Sequence, residues 1–297
     1  MPSFSTRMLA QINGGIYGIA GYYSNYSKTQ HIIVANRQRQ LFEIHWNKNN
    51  PHPSTPLGIG HYPSLICLSG LVSSNNGYQH IVYATSEGRI NELTFTHQGH
   101  LQYHRTRLHA LNVVGTRIGM AGFFSTNDNC CHSVVVDTSG RLNELVFRQQ
   151  EQSIFNGFPA HWNNIASIAG FYASNDNTRH IVVALRDGRL FDVRYDNRQD
   201  HASVNFLIRC PSLPLVIAAF FTPDNNSRHV VVRTNNQRLI GYAYDNQRII
   251  NTIEYPRSSN FNRVVDIAAY YSTDDGRRHI IVAHPNGNLF EIAYSRQ

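Results

Sequence analysis

The sequence predicts an all-β fold made of six similar units. Segments of about 50 residues recur along the chain, and each contains a histidine at the same place. Each copy also reads as a hairpin, most clearly from Arg179 to Tyr195, where two β-branched and aromatic runs flank Asp187-Gly188. Repeats of this length are typical of propellers and solenoids, whose units bury their faces only against their neighbours. The six histidines are His31, His80, His132, His180, His229 and His279.

Each copy opens with an apolar run that predicts its first strand. A small residue suits an innermost strand, where six backbones converge on a narrow axis. A connector rich in Asn, Asp and Ser follows, and such side chains favour turns. The small residues stand ten positions before the histidines and are Gly21, Gly70, Gly122, Gly170, Ala219 and Ala269.

The histidine begins the predicted second strand, and a turn leads into the third. Asp-Gly at this turn predicts a type I′ geometry, because that turn matches the twist of the flanking strands. Copies one and five carry Arg39 and Gln237 where the other turns have glycine. The predicted third strands are Leu41 to Trp46, Ile90 to Phe95, Leu142 to Phe147, Leu190 to Tyr195, Leu239 to Tyr244 and Leu289 to Tyr294.

The variable linkers between copies predict a fourth, outer strand. Residues 4–12 precede the first copy and are expected to supply this strand for the last one, which closes the ring and protects its edges. Four strands in each of six units predict a six-bladed β-propeller of antiparallel blades, with residues 1–297 as a single domain. The candidate outer strands are Leu101 to Leu108, Ser153 to Phe158, Val204 to Ile208 and Ile249 to Glu254.

Composition narrows the class of protein. The net charge is +7 without a dense Lys/Arg run, so nucleic acid is not an expected partner. No apolar run reaches the length of a membrane span and no signal segment is seen, which predicts a cytoplasmic protein or one exported without a conventional signal peptide. The cysteines lack zinc-site spacing and are interpreted as reduced structural thiols. They are Cys67, Cys130, Cys131 and Cys210.

A histidine that occurs in all six copies is most simply explained by one structural role that is repeated six times. A hydrogen bond from the imidazole to a neighbouring loop backbone would serve that purpose, since buried polar groups need partners. Six positions spread around a wide ring are too far apart to share a metal at about 2.0–2.1 Å. No metal and no other cofactor is therefore expected.

Two further series are candidate ligand-binding residues. An acid stands twelve positions after the histidine, and we expect it to lie beside the aromatic residue three positions further on. A carboxylate next to an aromatic ring can hold a neutral sugar, although a polar strand position beside a core aromatic is the simpler explanation of the pattern. The candidates are Glu43, Glu92, Glu144, Asp192 and Glu291 with Trp46, Phe95, Phe147, Tyr195 and Tyr294, while copy five has Gly241 and Tyr244.

Two groups of arginines are expected at opposite rims of the disc, as solvated turn residues or, alternatively, as a surface for an acidic polymer or protein. Such a surface would weaken with added salt. One group opens the third strands and the other precedes the histidines. They are Arg89, Arg141, Arg189 and Arg238 in the first group, and Arg179, Arg228 and Arg278 in the second.

The repeat resembles that of the six-bladed fucose-binding lectins of fungi and bacteria. Copy six shows it best, in Ile267-Ala268-Ala269 and Leu289-Phe290-Glu291-Ile292-Ala293-Tyr294. The resemblance implies a fucose held between blades by an arginine of the second strand, a glutamate of the third and an aromatic wall. The glutamates match, Asp192 less closely. Histidine replaces the expected arginine at His31, His80, His132 and His279, and Trp46 and Trp162 are the two tryptophans.

Three functions follow as hypotheses. The first is a non-catalytic, lectin-like propeller that binds carbohydrate at several shallow sites between blades, where weak sites gain by avidity. The alternative is a protein–protein interaction scaffold that uses the disc faces. A metal-dependent propeller hydrolase is least favoured, because departures such as Gly241 remove functional groups. The expected partners are thus glycans or another protein, and not a membrane.

Overall fold

Twenty-four strands form the regular structure of the described residues. The computed structural model describes residues 3–96, 100–110, 119–148, 151–155, 158, 161–196, 202–245, 248–256 and 263–295. In chain order the strands are β1 (Phe4–Gln11), β2 (Ile16–Ser24), β3 (Thr29–Asn36), β4 (Gln40–Trp46), β5 (Leu57–His61), β6 (Leu65–Val72), β7 (Gln79–Thr85), β8 (Arg89–Phe95), β9 (Leu101–Ala110), β10 (Met120–Ser125), β11 (Cys130–Val136), β12 (Leu142–Arg148), β13 (Glu151–Phe155), β14 (Ile165–Ala173), β15 (Thr178–Leu185), β16 (Arg189–Tyr195), β17 (Ser203–Arg209), β18 (Pro214–Thr222), β19 (Ser227–Thr234), β20 (Leu239–Asp245), β21 (Arg248–Glu254), β22 (Asp266–Ser272), β23 (Arg277–Ala283) and β24 (Asn288–Tyr294).

The strands form six antiparallel four-stranded sheets, which are the blades. Blades one to five take the strands in chain order, from β2–β5 to β18–β21, and blade six consists of β22, β23, β24 and β1. The first strands of successive blades contact each other around the whole ring, including β22 with β2. The predicted six-bladed propeller is confirmed.

The N-terminal strand closes the ring. It pairs with β24 in antiparallel register, from Phe4 opposite Tyr294 to Gln11 opposite Asn288. The Ser5 hydroxyl donates to the Ala293 carbonyl at 3.1 Å. The outer strand of blade six therefore comes from the other end of the sequence, as predicted.

Most predicted strands agree with the observed ones to within a residue or two. The outer strand of blade three is Glu151–Phe155 rather than Ser153 to Phe158, of which Asn156 and Gly157 lie outside the described residues. The outer strand of blade one, Leu57–His61, has no counterpart among the predicted candidates.

The turns between second and third strands differ from the predicted type I′. That type needs two successive residues with positive φ, whereas Gly188 at +97° is preceded by Asp187 outside the left-handed region. The amide of Gly188 donates to the Leu185 carbonyl at 3.0 Å. A turn followed by one left-handed residue is the pattern of three-residue hairpin loops. Arg39 and Gln237 adopt positive φ at the same place, at 63° and 66°.

The core consists of six apolar clusters that lie between adjacent blades. One of them joins Ile32 and Val34 of blade one to Ala268 and Ile281 of blade six. Burying one such side chain contributes about 1.5–3 kcal/mol. The inner strands approach closely, since a Cβ on Gly21 would lie 3.0 Å from the Ala268 Cβ. Within the described part of the chain, no helix has the length and apolarity needed to cross a membrane.

Candidate functional site

The recurring histidines pair with the recurring acids inside five of the six blades. The imidazole Nδ1 lies 2.7 Å from the carboxylate of Glu43 at His31, and 2.8 Å from that of Glu291 at His279. The expected partner was a loop backbone, so this expectation was wrong. The other pairs are His80–Glu92 at 2.6 Å, His132–Glu144 at 2.9 Å and His180–Asp192 at 2.8 Å.

Most of these imidazoles also stack on an aromatic ring of the first strand of the same blade. Phe171 lies directly opposite His180 in the sheet, and their ring planes are 5° apart. The ring and the carboxylate together fix the orientation of the imidazole. The other stacked pairs are Tyr22–His31, Phe123–His132, Phe220–His229 and Tyr270–His279.

The acid and the aromatic three positions later lie in different gaps, contrary to expectation. Side chains alternate along a strand, so an odd spacing places them on opposite faces. The gap between two blades, named here by their numbers, therefore combines the acid of one blade with the aromatic of the next. In gap 3–4 the Tyr195 hydroxyl donates to Glu144 at 2.6 Å.

Three arginines expected on a solvated rim instead cross gaps and are buried. Arg228 of blade five is 2 % exposed and contacts Asp176 of blade four at 2.5 Å. Arg179 binds Asp128 across gap 3–4, and Arg278 lies 3.5 Å from Asp224 across gap 5–6. The prediction for this group was wrong, because each cation has a carboxylate in the preceding blade.

The opposite group of arginines behaves as predicted. Arg89, Arg141 and Arg189 are exposed where the third strands begin, and Arg238 is half-buried beside Glu254. Arg189 and Asp187 form an exposed ion pair at 2.7 Å.

Gap 6–1 brings together a cation, an acid and a tryptophan. Arg7 of β1 lies directly opposite Glu291 in the sheet, and its Nε donates to that carboxylate at 2.5 Å. The guanidinium also lies 5.6 Å from the ring centre of Trp46, which belongs to blade one. The Arg7 side chain is 38 % exposed and reaches the surface, whereas Glu291 and Trp46 are buried beneath it.

Charges around His279 favour its protonated form. Burial opposes the charge, but hydrogen bonds to Asp275 and Glu291 raise the pKa of His279 above its ordinary value. Burial likewise disfavours the Glu291 carboxylate, yet its contacts with His279 and Arg7 lower its pKa. Each member of the pair therefore favours the charged form of the other, and Arg7 adds to this effect at Glu291.

The gap arginines Arg179, Arg228 and Arg278 each stand directly before a recurring histidine. In gaps 1–2 and 2–3 this position holds no arginine. Gln79 and Cys131 stand there, and Gln79 accepts a hydrogen bond from the Tyr22 hydroxyl at 2.9 Å. The Nε2 of His31 is buried and has no hydrogen-bond partner among the described residues. These two gaps carry the histidine–acid pair without a cation from the next blade.

Blade five departs from the pattern because Tyr255 fills the place of the missing acid. A Cβ on Gly241 would lie 2.6 Å from the Tyr255 hydroxyl oxygen. That hydroxyl is 3.0 Å from the hydroxyl of Tyr294. Twelve positions after His229 stands Gly241 instead of an acid, and the imidazole Nε2 contacts the Ser227 hydroxyl at 2.7 Å.

Sequence reasoning found the acids, the aromatics and the histidines of this site, but it missed Arg7. The sequence did hold a signal: Arg7 is a charged residue within the predicted closing strand, and that strand had to pair with the one that holds Glu291. Only the register of that pairing places the two side chains together.

The closed ring defines a six-bladed β-propeller in which polar side chains recur between the blades. No known family profile and no curated protein sequence matches the chain. Several solved structures match its fold. AofleA from Arthrobotrys oligospora superposes with a TM-score of 0.69 at 14% identity, covering 98% of this chain and 85% of its own. The fucose-specific lectin from Aleuria aurantia superposes with a TM-score of 0.70 at 11% identity, covering 96% of this chain and 97% of its own.

A lectin from Burkholderia pseudomallei gives a TM-score of 0.66 at 12% identity, covering 95% of this chain and 96% of its own. The resemblance to six-bladed lectins inferred from the repeat is therefore confirmed for the architecture. At these identities the likeness concerns the fold.

Proposed function

We propose that this protein is a non-catalytic, lectin-like propeller that binds carbohydrate between its blades, with gap 6–1 as its strongest site. The observation that carries the proposal is the convergence of Arg7, Glu291 and Trp46 on one partly exposed gap. Each comes from a different strand, so the ring must be closed for the site to exist.

The three side chains have the chemistry that a sugar needs. The carboxylate accepts hydrogen bonds from hydroxyl groups, the guanidinium donates to ring and hydroxyl oxygens, and the indole offers an apolar face. The Nε1 of Trp46 is buried without a partner among the described residues and adds a donor. In this proposal the Arg7 guanidinium, which lies over the indole in the free protein, shifts away from the ring when the sugar binds and keeps its bond to Glu291.

The other gaps support fewer or weaker sites. In gaps 3–4 and 4–5 buried arginines occupy the space beside the acid and satisfy the carboxylates of the preceding blade. A ligand there would have to break a buried ion pair, which costs several kcal/mol. Gaps 1–2 and 2–3 lack that obstacle and are the proposed secondary sites.

The structural neighbours suggest the first sugar to test. One is named as fucose-specific, and the Aleuria aurantia lectin has a structure with alpha-methyl-L-fucoside. The resemblance implies a sugar-binding arginine on the second strand, where this chain has His279. In this proposal Arg7 of the outer strand replaces that arginine. The methyl fucoside is therefore the probe of choice, alongside a glycan array for other sugars.

Calorimetric titration of the sugar into four variants tests the proposal. Glu291→Gln and Arg7→Ala are expected to weaken binding at least tenfold, a loss of about 1.4 kcal/mol or more. Asp192→Asn in gap 4–5 and Arg89→Ala on the rim are the matched controls and should bind like the wild type.

Equal binding of the sugar by all variants would show that it binds elsewhere and would refute gap 6–1 as the binding site. Absence of any wild-type response to the array, or to millimolar sugar, would refute the carbohydrate-binding function itself.

A further inference from the structure

A cavity lies on the axis of the propeller, at the beginning of the innermost strands. Its volume is 340 Å³, and every blade contributes to its wall. An aliphatic or thioether side chain comes from the same repeat position in each blade. These residues are Ile19, Leu68, Met120, Ile168, Ile217 and Ile267.

Arg233 is the exceptional residue of this wall. It stands four positions after His229, where the other copies have small or branched apolar residues that are almost fully buried. Arg233 is itself only 8 % exposed. Its counterparts are Ala35, Ala84, Val136, Ala184 and Ala283.

The Arg233 side chain has no hydrogen bond or ion pair within the part of the chain that the structure describes, and its Nε is buried without a partner. The three gap arginines differ, since each faces an aspartate of the neighbouring blade. Burial lowers the pKa of Arg233, as expected for a cation in apolar surroundings. The terminal nitrogens of Arg233 are not among the buried atoms without a partner, so a largely buried cation without a counter-ion remains accessible from the cavity, which indicates that the cavity receives an anion.

We propose that the axial cavity binds a small organic monocarboxylate, with its carboxylate on the Arg233 guanidinium and its apolar body against the six side chains of the wall. Arginine binds carboxylates by paired hydrogen bonds, and ligand cavities are mainly apolar with a few placed polar groups.

Main-chain amides at this level of the axis already bind oxygen acceptors. The Ile19 amide donates to Asp266 Oδ2 at 2.8 Å, and the Ile217 amide donates to the Ser167 hydroxyl oxygen at 3.3 Å. Asp266 also brings one negative charge to the cavity wall. With one arginine and one aspartate in its wall, the cavity suits a monoanion with an apolar body better than a phosphate, which carries more charge and no apolar part.

This site shares no residue with gap 6–1, so its test is independent of the sugar proposal. Thermal unfolding and calorimetry would compare wild type, Arg233→Ala and Arg89→Ala with increasing sodium hexanoate, against sodium chloride at equal ionic strength. Alanine is the natural residue of four other copies, so Arg233→Ala is expected to fold. Arg233→Gln, which keeps the length of the side chain, serves as a second uncharged variant.

Hexanoate is expected to raise the Tm of the wild type and of Arg89→Ala to a plateau and to leave both Arg233 variants unchanged. Without ligand, Arg233→Ala should melt above the wild type, since it removes an unpaired buried cation. A wild-type Tm that does not respond, or an equal response in the Arg233 variants, would overturn the site. Inorganic phosphate acting as strongly as hexanoate would overturn the assigned ligand class.

Discussion

Tyr195 of blade four donates its hydroxyl hydrogen to Glu144 of blade three across 2.6 Å. The same carboxylate lies 2.9 Å from Nδ1 of His132 in its own blade. One buried acid therefore joins two strands of one sheet to a strand of the next. Blades that share such bonds are tied by directional contacts as well as by apolar packing.

Removing the Tyr195 hydroxyl tests the strength of this tie. Tyr195→Phe is expected to lower the free energy of unfolding by about 1–3 kcal/mol, because a hydrogen bond to a charged group is lost while the acid stays buried. Tyr244→Phe is the matched control, since Tyr244 holds the same repeat position but its hydroxyl has no partner among the described residues. Denaturant unfolding would measure both, and similar losses in the two variants would contradict the inter-blade role.

The buried arginines make a different prediction from the exposed ones. Arg228→Ala should destabilise the protein by about 1–3 kcal/mol, because it removes the closer of the two cations at Asp176, where Arg194 remains at 3.1 Å, and opens a void. Arg189→Ala removes an exposed pair and should leave the unfolding midpoint unchanged. Chemical denaturation would compare the two, and a small effect at Arg228 would show that Asp176 is well solvated without it.

Stability should depend on pH through His279. Its pKa is raised in the folded protein, so the stability it contributes is complete below its unfolded pKa and is lost as pH rises through the folded value. Glu291 affects stability in the opposite direction. Because its pKa is lowered in the folded protein, the stability it contributes is complete above its unfolded pKa and is lost as pH falls through the folded pKa.

Melting curves from about pH 6 to about pH 9 would test the alkaline limb. His279→Gln should lower the wild-type Tm most at the acidic end and flatten the decline towards high pH. His45→Gln, on an exposed side of β4, is the control and should follow the wild type. A wild-type curve parallel to that of His279→Gln would argue against a charged His279.

The missing acid of blade five gives a packing prediction. Gly241→Ala places a Cβ against the buried Tyr255 and should cost about 1–3 kcal/mol. Because the nearest atom is the hydroxyl oxygen, adding Tyr255→Phe should recover part of that loss. Gly58→Ala, where nothing lies within 4 Å of the new Cβ, should be neutral. Calorimetric melting would decide, and a neutral Gly241→Ala would show that Tyr255 is free to shift.

The architecture could be predicted because it repeats. Six copies of one pattern fix the number of blades, and alternation within each run fixes the strands to within a residue or two. The turn geometry was missed, since Asp187-Gly188 suggested two left-handed residues where one is found. Arg39 and Gln237 show that this single left-handed position tolerates a side chain.

The contents of the gaps were harder to predict. His31 and Glu43 lie on one face because Glu43 opposes Ile33, two residues along the strand from His31. The hairpin register already implied this diagonal pair. Contacts between blades, such as Arg228 with Asp176, depend on how separate sheets pack, and no local pattern in the residues specifies that.

The pairing of β1 with β24 also shapes how the molecule is made. Ser5 meets Ala293, 288 residues further along the chain. At roughly 5–20 residues per second of synthesis, the first strand emerges roughly 15–60 s before its partner exists. During translation β1 has no partner until β24 has been made, and gap 6–1 cannot form before then.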